Sequence, residues 1–188
     1  LVFEEVNNDL ELCFRYSWAS SERYGFVRSC SLHNRAAAPV KLEVLDGMQN
    51  ILPAGTPRHT QTDSSYLVDA YKLNQLDAGT GLAFYTLFSG ISDRAEPKES
   101  LRANTVFCLG LKQPRILLCA AQIGRFKRGL SIGSESAIRG TRGAYLAAFE
   151  LDLPTGGASH WQFAINSELS QAQCSKLNAE LVDTEALA

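Results

Sequence analysis

Apolar and polar residues alternate with a period of two along most of this chain, the pattern of strands with one face on a core. From Leu10 to Ala19 one face reads Leu10, Leu12, Phe14, Tyr16 and Trp18, and the other Glu11, Cys13, Arg15, Ser17 and Ala19. Asn7-Asn8-Asp9 supplies turn chemistry just before it, so Leu1 to Val6 is expected to pair with this strand as a hairpin. Tyr24 to Leu32 makes the next strand, with Phe26, Cys30 and Leu32 on one side. After a turn over Asn34 to Pro39, Val40, Leu42 and Val44 continue the alternation.

Gly47 to Thr60 then breaks the pattern. Its Asp46-Gly47, Pro53-Ala54-Gly55 and Pro57 punctuation predicts a long loop anchored by Ile51-Leu52. Tyr66 to Leu76 fits two readings. Tyr66, Ala70 and Leu73 form a helical stripe, yet the other apolar residues surround the wheel, and strand–turn–strand is favoured through Asp77-Ala-Gly-Thr-Gly81. Leu82, Phe84, Thr86 and Phe88 alternate with Ala83, Tyr85 and Leu87, and a charged loop spans Ser92 to Ser100. Strands are predicted at Thr105 to Leu109 and, as a continuous apolar run, at Ile116 to Ile123. An irregular connection covers Gly124 to Gly143. Strand faces follow at Tyr145, Ala147, Phe149, Leu151 and Leu153, and at Trp161, Phe163 and Ile165, with a turn at Pro154 to Gly157 between them.

The period changes at the C-terminal end. Ser170-Gln-Ala-Gln173 reads as a capping box, and Cys174, Leu177 and Leu181 recur at helical spacing. The predicted architecture is all-β, an antiparallel sandwich over residues 1–168. A helical linker over 169–188 is expected to leave it and lead to a downstream domain. The chain opens without Met and directly in strand-like sequence, as a piece cut from a longer protein would.

Composition changes this picture little. With 45% hydrophobic and 20% charged residues among 188, the chain is of ordinary globular type. A formal net charge of −2 gives no field to draw nucleic acid or an anionic membrane, and no apolar run approaches the roughly 20 residues that span a bilayer. The five cysteines, Cys13, Cys30, Cys108, Cys119 and Cys174, show no C-x-x-C pair and read as free, buried thiols, which points to a reducing, cytoplasmic setting.

Candidate chemistry is sparse, and no catalytic residue, cofactor or metal is assigned. Gly129-Leu-Ser-Ile-Gly133 matches a nucleophile elbow, with Asp152 and His160 following. Arg125-Phe-Lys-Arg128 before it is no buried strand, so a serine hydrolase is rejected. His33, His59 and His160 lack metal-ligand spacing. Arg58 and His59, in the long loop, could meet a sugar hydroxyl or a phosphate. Arg125, Lys127 and Arg128, with Arg139 and Arg142, stand against Glu135 alone and could bind phosphate or a neighbouring domain. Trp18 and Trp161 could stack on a sugar, but both alternate with core residues and burial is expected.

Several segments, in order, resemble a known family. Arg28-Ser-Cys-Ser-Leu-His-Asn34 with Val40-Lys-Leu-Glu-Val44 is one, and Ser64-Ser-Tyr-Leu-Val-Asp69 through Asp77-Ala-Gly-Thr-Gly-Leu82 another. Gly124-Arg-Phe-Lys-Arg-Gly129, and Leu151-Asp-Leu-Pro-Thr-Gly156 before Trp161-Gln-Phe163, complete the set. They are similar to the N-terminal β-sandwich domain of cellobiose and chitobiose phosphorylase-type and cyclic glucan synthase-type enzymes. The resemblance implies a galactose-mutarotase-like supersandwich that supports an (α/α)6 catalytic barrel downstream, helps in dimerisation, and can lend a loop to the active site. It implies a non-catalytic role for this chain, with the barrel, an oligosaccharide and a second copy as partners. Met48-Gln-Asn-Ile-Leu-Pro53 departs from the characterised phosphorylases, which leaves phosphorolysis, hydrolysis and transfer open. The rival readings are a mutarotase or epimerase working through strand-borne His33 or His160, and an interaction module without sugar contact.

Overall fold

Among the residues that the computed structural model describes, 1–91 and 100–185, eleven strands assemble into two antiparallel sheets. Numbered in chain order, the larger sheet runs β1 (Val2–Asn7), β2 (Leu12–Ser21), β3 (Gly25–Asn34), β11 (Ala158–Ser170), β7 (Arg102–Leu109), β6 (Ala83–Leu87), β5 (Lys72–Leu76) and β9 (Ala137–Arg139). The smaller runs β4 (Val40–Ile51), β10 (Gly143–Leu153) and β8 (Arg115–Leu117). The chain is thus the all-β sandwich that its alternation predicts. The charged loop expected at Ser92 to Ser100 falls, apart from Ser100, outside the described residues.

The sheets meet through their alternating apolar faces. Leu12, Cys30, Leu32, Tyr85, Val106, Trp161 and Phe163 come from the larger sheet, and Ile116, Tyr145, Ala147, Phe149 and Leu153 from the smaller. Trp161 is buried as expected, stacked on Phe14 and edge-on to Phe149 at 5.1 Å, while Trp18 is half-buried. Leu10, in the turn before β2, and Phe26, near the start of β3, are exposed although periodicity counts both on core faces. The cysteines are free, and all but the half-buried Cys108 are buried.

One polar node sits inside this core. Arg28 shares the inward face of β3 with Cys30 and Leu32, and its side chain is 9% exposed. It donates to Asp46 Oδ1 on β4 at 2.8 Å, across the gap between sheets. Trp161 Nε1 donates to Asp46 Oδ2, also at 2.8 Å, and the Arg28 guanidinium lies 4.6 Å from the Tyr16 ring centroid. The carboxylate therefore ties two strands of the larger sheet to one of the smaller.

Both sheets carry a second layer. Strand β10 is buried on both faces because Ala144, Leu146 and Ala148 pack beneath Ile132 and beneath Ile123 and Phe126 of α3 (Ile123–Phe126). The C-terminal helix α4 (Gln171–Glu185) is opened by the predicted capping box, with Ser170 Oγ and N both donating to Gln173 Oε1 at 2.9 Å. Helix α4 does not leave the sandwich as expected. Leu177 and Leu181 pack on Leu82, Phe107 and Ala164, and Asn178 bonds both Asp77 Oδ2 (3.0 Å) and Thr80 Oγ1 (2.6 Å). That Asn178 bond holds the Asp77 carboxyl below the usual range. Strand β11 also runs through Ser170, past the boundary expected at residue 168.

Three further expectations are corrected. Strand β4 continues through Gly47 to Ile51, and α1 (Arg58–Asp63) occupies the far end of the supposed loop. Gly47 is a close-approach position and not a breaker: at φ +150°, an added Cβ would stand 2.0 Å from the Tyr145 carbonyl oxygen. Residues 66–76 divide between the two readings, with α2 (Ser65–Tyr71) running straight into β5. The apolar run at Ile116 to Ile123 stops as a strand at Leu117. There the Glu135 carboxylate takes the amides of Leu118 (2.6 Å) and Cys119 (3.1 Å) in place of a neighbouring strand.

Gly47→Ala is expected to cost about 2–4 kcal/mol through this backbone clash, read as a lower urea midpoint with an unchanged slope. Burial pushes the Cys30 thiol up to about 12 from the ordinary 9.0, with the Asp46 charge adding to it. Because the folded value is the higher, the stability that this group contributes is intact below about pH 9 and lost as the pH rises toward 12. Urea stability should therefore decline above pH 9 and decline less in Cys30→Ala; parallel pH profiles would contradict this.

Candidate functional site

Where β4 ends, the chain crosses the edge of the core and builds a corner. Pro53 and Ala54 are buried, and the Asn104 side chain on β7 donates to the Leu52 carbonyl at 2.8 Å. The facing strand is irregular. The β11–β7 register shifts between Asn166 and Leu169, and Glu168 takes a left-handed backbone, φ +58°, which is uncommon away from glycine. Three contacts hold it there. Its N–H donates to Asn104 Oδ1 (2.9 Å), its carbonyl accepts from Arg102 Nη1 (2.9 Å), and its carboxylate Oε1 accepts from the Gly55 N–H (2.7 Å).

Between the bulge and α1 lies a cleft of about 440 Å³, whose lining includes Thr56, Thr60, Leu87, Leu101, Arg102 and Glu168. Thr56 Oγ1 is buried and has no hydrogen-bond partner among the described residues. Buried hydroxyls are seldom left so, since each forfeits the hydrogen bonds it made to water.

Adjacent to Thr60, the elements carry a buried charge. The Lys72 side chain on β5 is 1% exposed and donates to Gln61 Oε1 on α1 and to Asp69 Oδ1 on α2, the latter at 2.7 Å. Arg142 approaches the other Asp69 oxygen at 3.8 Å. A lysine held this way is a fastening for the two short helices, neither of which has a side-chain cap. Beside it, α2 and the end of β6 present an apolar surface. Tyr66 is 92% exposed, and Leu67 and Phe88 are each about half exposed, with Phe88 stacked on Tyr71 at 5.2 Å.

The residues singled out in the sequence fall in two places. Arg58 and His59 are exposed on the first turn of α1, between Pro57 and Thr60, which line the cleft, and do not themselves line it. Arg125, Lys127 and Arg128 are exposed at α3, over the outer face of the smaller sheet, and do not line that cleft. Two of these cations bond their own loop. Arg125 donates through Nε and Nη2 to the Ser131 carbonyl (3.1 and 3.0 Å), and Arg128 through Nε to the Gly124 carbonyl (3.0 Å).

The elbow-like Ser131 is exposed in that loop, Asp152 faces Lys41 on the smaller sheet, and His160 lies on β11. His33 and His160 do share the outer face of the larger sheet, one step apart diagonally in the β3–β11 register, and His33 Nε2 is 3.1 Å from the Gly156 carbonyl. Among the described residues, no group of three or more His, Cys, Asp and Glu could hold a metal ion, and no helix is long and apolar enough to cross a membrane.

Glu168, Arg102, Thr56 and Gly55 escaped the sequence reading. The available signal was Asn166-Ser167-Glu168, three consecutive polar residues in an otherwise alternating strand. No protein-family model matches the chain, and neither does any curated protein.

Proposed function

We propose that this chain is a non-catalytic β-sandwich domain of a larger carbohydrate-processing enzyme, packing against a catalytic domain of the same polypeptide. The observation that carries the packing role is the α2–β6 surface. Tyr66 at 92% exposure, with Leu67 and Phe88 beside the short helices, is the kind of apolar patch that marks a protein contact. The carbohydrate class rests on the ordered resemblance to phosphorylase-type and glucan synthase-type sandwiches, whose barrel supplies the chemistry. In this reading Arg58 and His59, exposed on neighbouring α1, serve as polar rim to an apolar contact centred on α2.

Burying such side chains contributes roughly 25 cal/mol per Å² of apolar area, enough for a few residues to orient one domain on another. Amide hydrogen exchange tests the reading directly, comparing this chain alone with the polypeptide that carries the downstream domain. Residues 66–71 and 88 should exchange more slowly in the longer protein, and Tyr66→Ser with Phe88→Ser should abolish the difference while moving the isolated chain's Tm by less than about 3 °C. Identical exchange in the two proteins would refute it.

A further inference from the structure

Besides that apolar surface, the corner holds a cavity that the docking role does not use. We infer that the cleft between α1, the end of β6 and the β11 bulge is a recognition site for a neutral polyhydroxylated ligand of about one sugar ring. Four observations lead there.

The first is construction. The bulge, β7 and the segment after β4 are fastened through Asn104, which bonds both Leu52 and Glu168, and through the Gly55 amide on the Glu168 carboxylate. The cleft walls are thus set before any ligand arrives, and such pre-organisation spares a ligand the cost of ordering them. The second is strain. A non-glycine residue in the left-handed region is retained where surrounding contacts over-determine it, and such positions cluster at functional sites. A bulge is also a device for re-aiming a side chain.

The third is the polar set. One oxygen of the Glu168 carboxylate takes a single amide, leaving acceptor capacity. One Arg102 N–H is engaged by the Glu168 carbonyl, and a guanidinium has five. An acceptor and a donor of opposite charge lining one cleft suit a hydroxyl pair, one donating to the carboxylate and the other accepting from the guanidinium. The opposite charges of Glu168 and Arg102 offset each other for a charged ligand, so the cleft offers neither an anion nor a cation a net attraction. Thr56, with its unpartnered buried oxygen, and Thr60 add hydroxyls that can both donate and accept. The fourth is shape. About 440 Å³ lies within the roughly 300–1,000 Å³ of small-molecule sites, and Leu87 and Leu101 supply apolar wall for ring C–H groups.

The test is a titration of the isotope-labelled chain followed through its amide signals, with D-glucose, D-mannose, N-acetyl-D-glucosamine and inorganic phosphate as separate probes. At least one neutral sugar should saturably shift Gly55, Thr56, Leu101 and Glu168, while phosphate leaves them in place. Glu168→Gln should weaken that sugar at least tenfold, the loss of a hydrogen bond to a charged group. Thr56→Val, which removes a hydroxyl that has no partner among the described residues, should weaken the shifts with an unchanged or raised Tm, separating recognition from folding. Shifts by phosphate in preference to the sugars, no shift by any probe, or unaltered affinity in Glu168→Gln would each overturn the inference. The titration uses this chain alone, so its outcome is independent of the docking surface.

Discussion

A single carboxylate, that of Asp46, bonds both sheets of this sandwich together at their centre. Its two oxygens receive the Arg28 guanidinium and the Trp161 indole N–H, each at 2.8 Å, so a residue of the smaller sheet fixes two neighbouring strands of the larger. Apolar faces alone would tolerate sliding, because hydrophobic burial has no direction. A buried charge tolerates little, since a displaced pair loses its attraction and keeps its desolvation penalty. The Tyr16, Phe14 and Phe163 rings around the guanidinium complete its enclosure. Gly47 follows Asp46 directly, and its lack of a side chain lets β4 press against the Tyr145 carbonyl. The node and the close approach belong to one short stretch, 46–47.

From that fixed point the corner that holds the cleft follows by continuity. Strand β4 runs on from the node to Ile51, and the chain then crosses through buried Pro53 and Ala54 to the cleft. Strand β11 runs on from Trp161 to the bulge at Glu168. The two cleft walls are therefore extensions of the same strands that Asp46 ties together. Beyond them polar fastenings add to the apolar packing: Lys72 under α1 and α2, and Asn178 at the turn after β5.

The strands were legible because their alternation is a direct consequence of one buried face, and every predicted core face of β10 and β11 reaches the core. The capping box was legible for a similar reason, being local chemistry over four residues. What escaped was decided by partners distant in sequence. Glu135 ends a strand that apolar content alone would extend to Ile123. Tyr145, ninety-eight positions from Gly47, makes that glycine a strand residue. The C-terminal helix docks because Leu82 and Phe107 offer it an apolar face, which its own sequence does not reveal. Arg58 and His59 stand out in the sequence through the unusual loop that bears them, whereas Glu168 and Arg102 are brought to one cleft only through the bulge.

The measurement that bears most directly on this account is a double-mutant cycle between Arg28 and Asp46. Arg28→Met and Asp46→Asn are made singly and together, and each is unfolded in urea. The asparagine keeps an acceptor for Trp161, so the cycle isolates the charge that links the sheets. A coupling of about 1–3 kcal/mol is predicted, the double variant being less destabilised than the sum of the singles. Additivity within about 0.5 kcal/mol would show that the Arg28–Asp46 pair adds no link between the sheets and contradict the account.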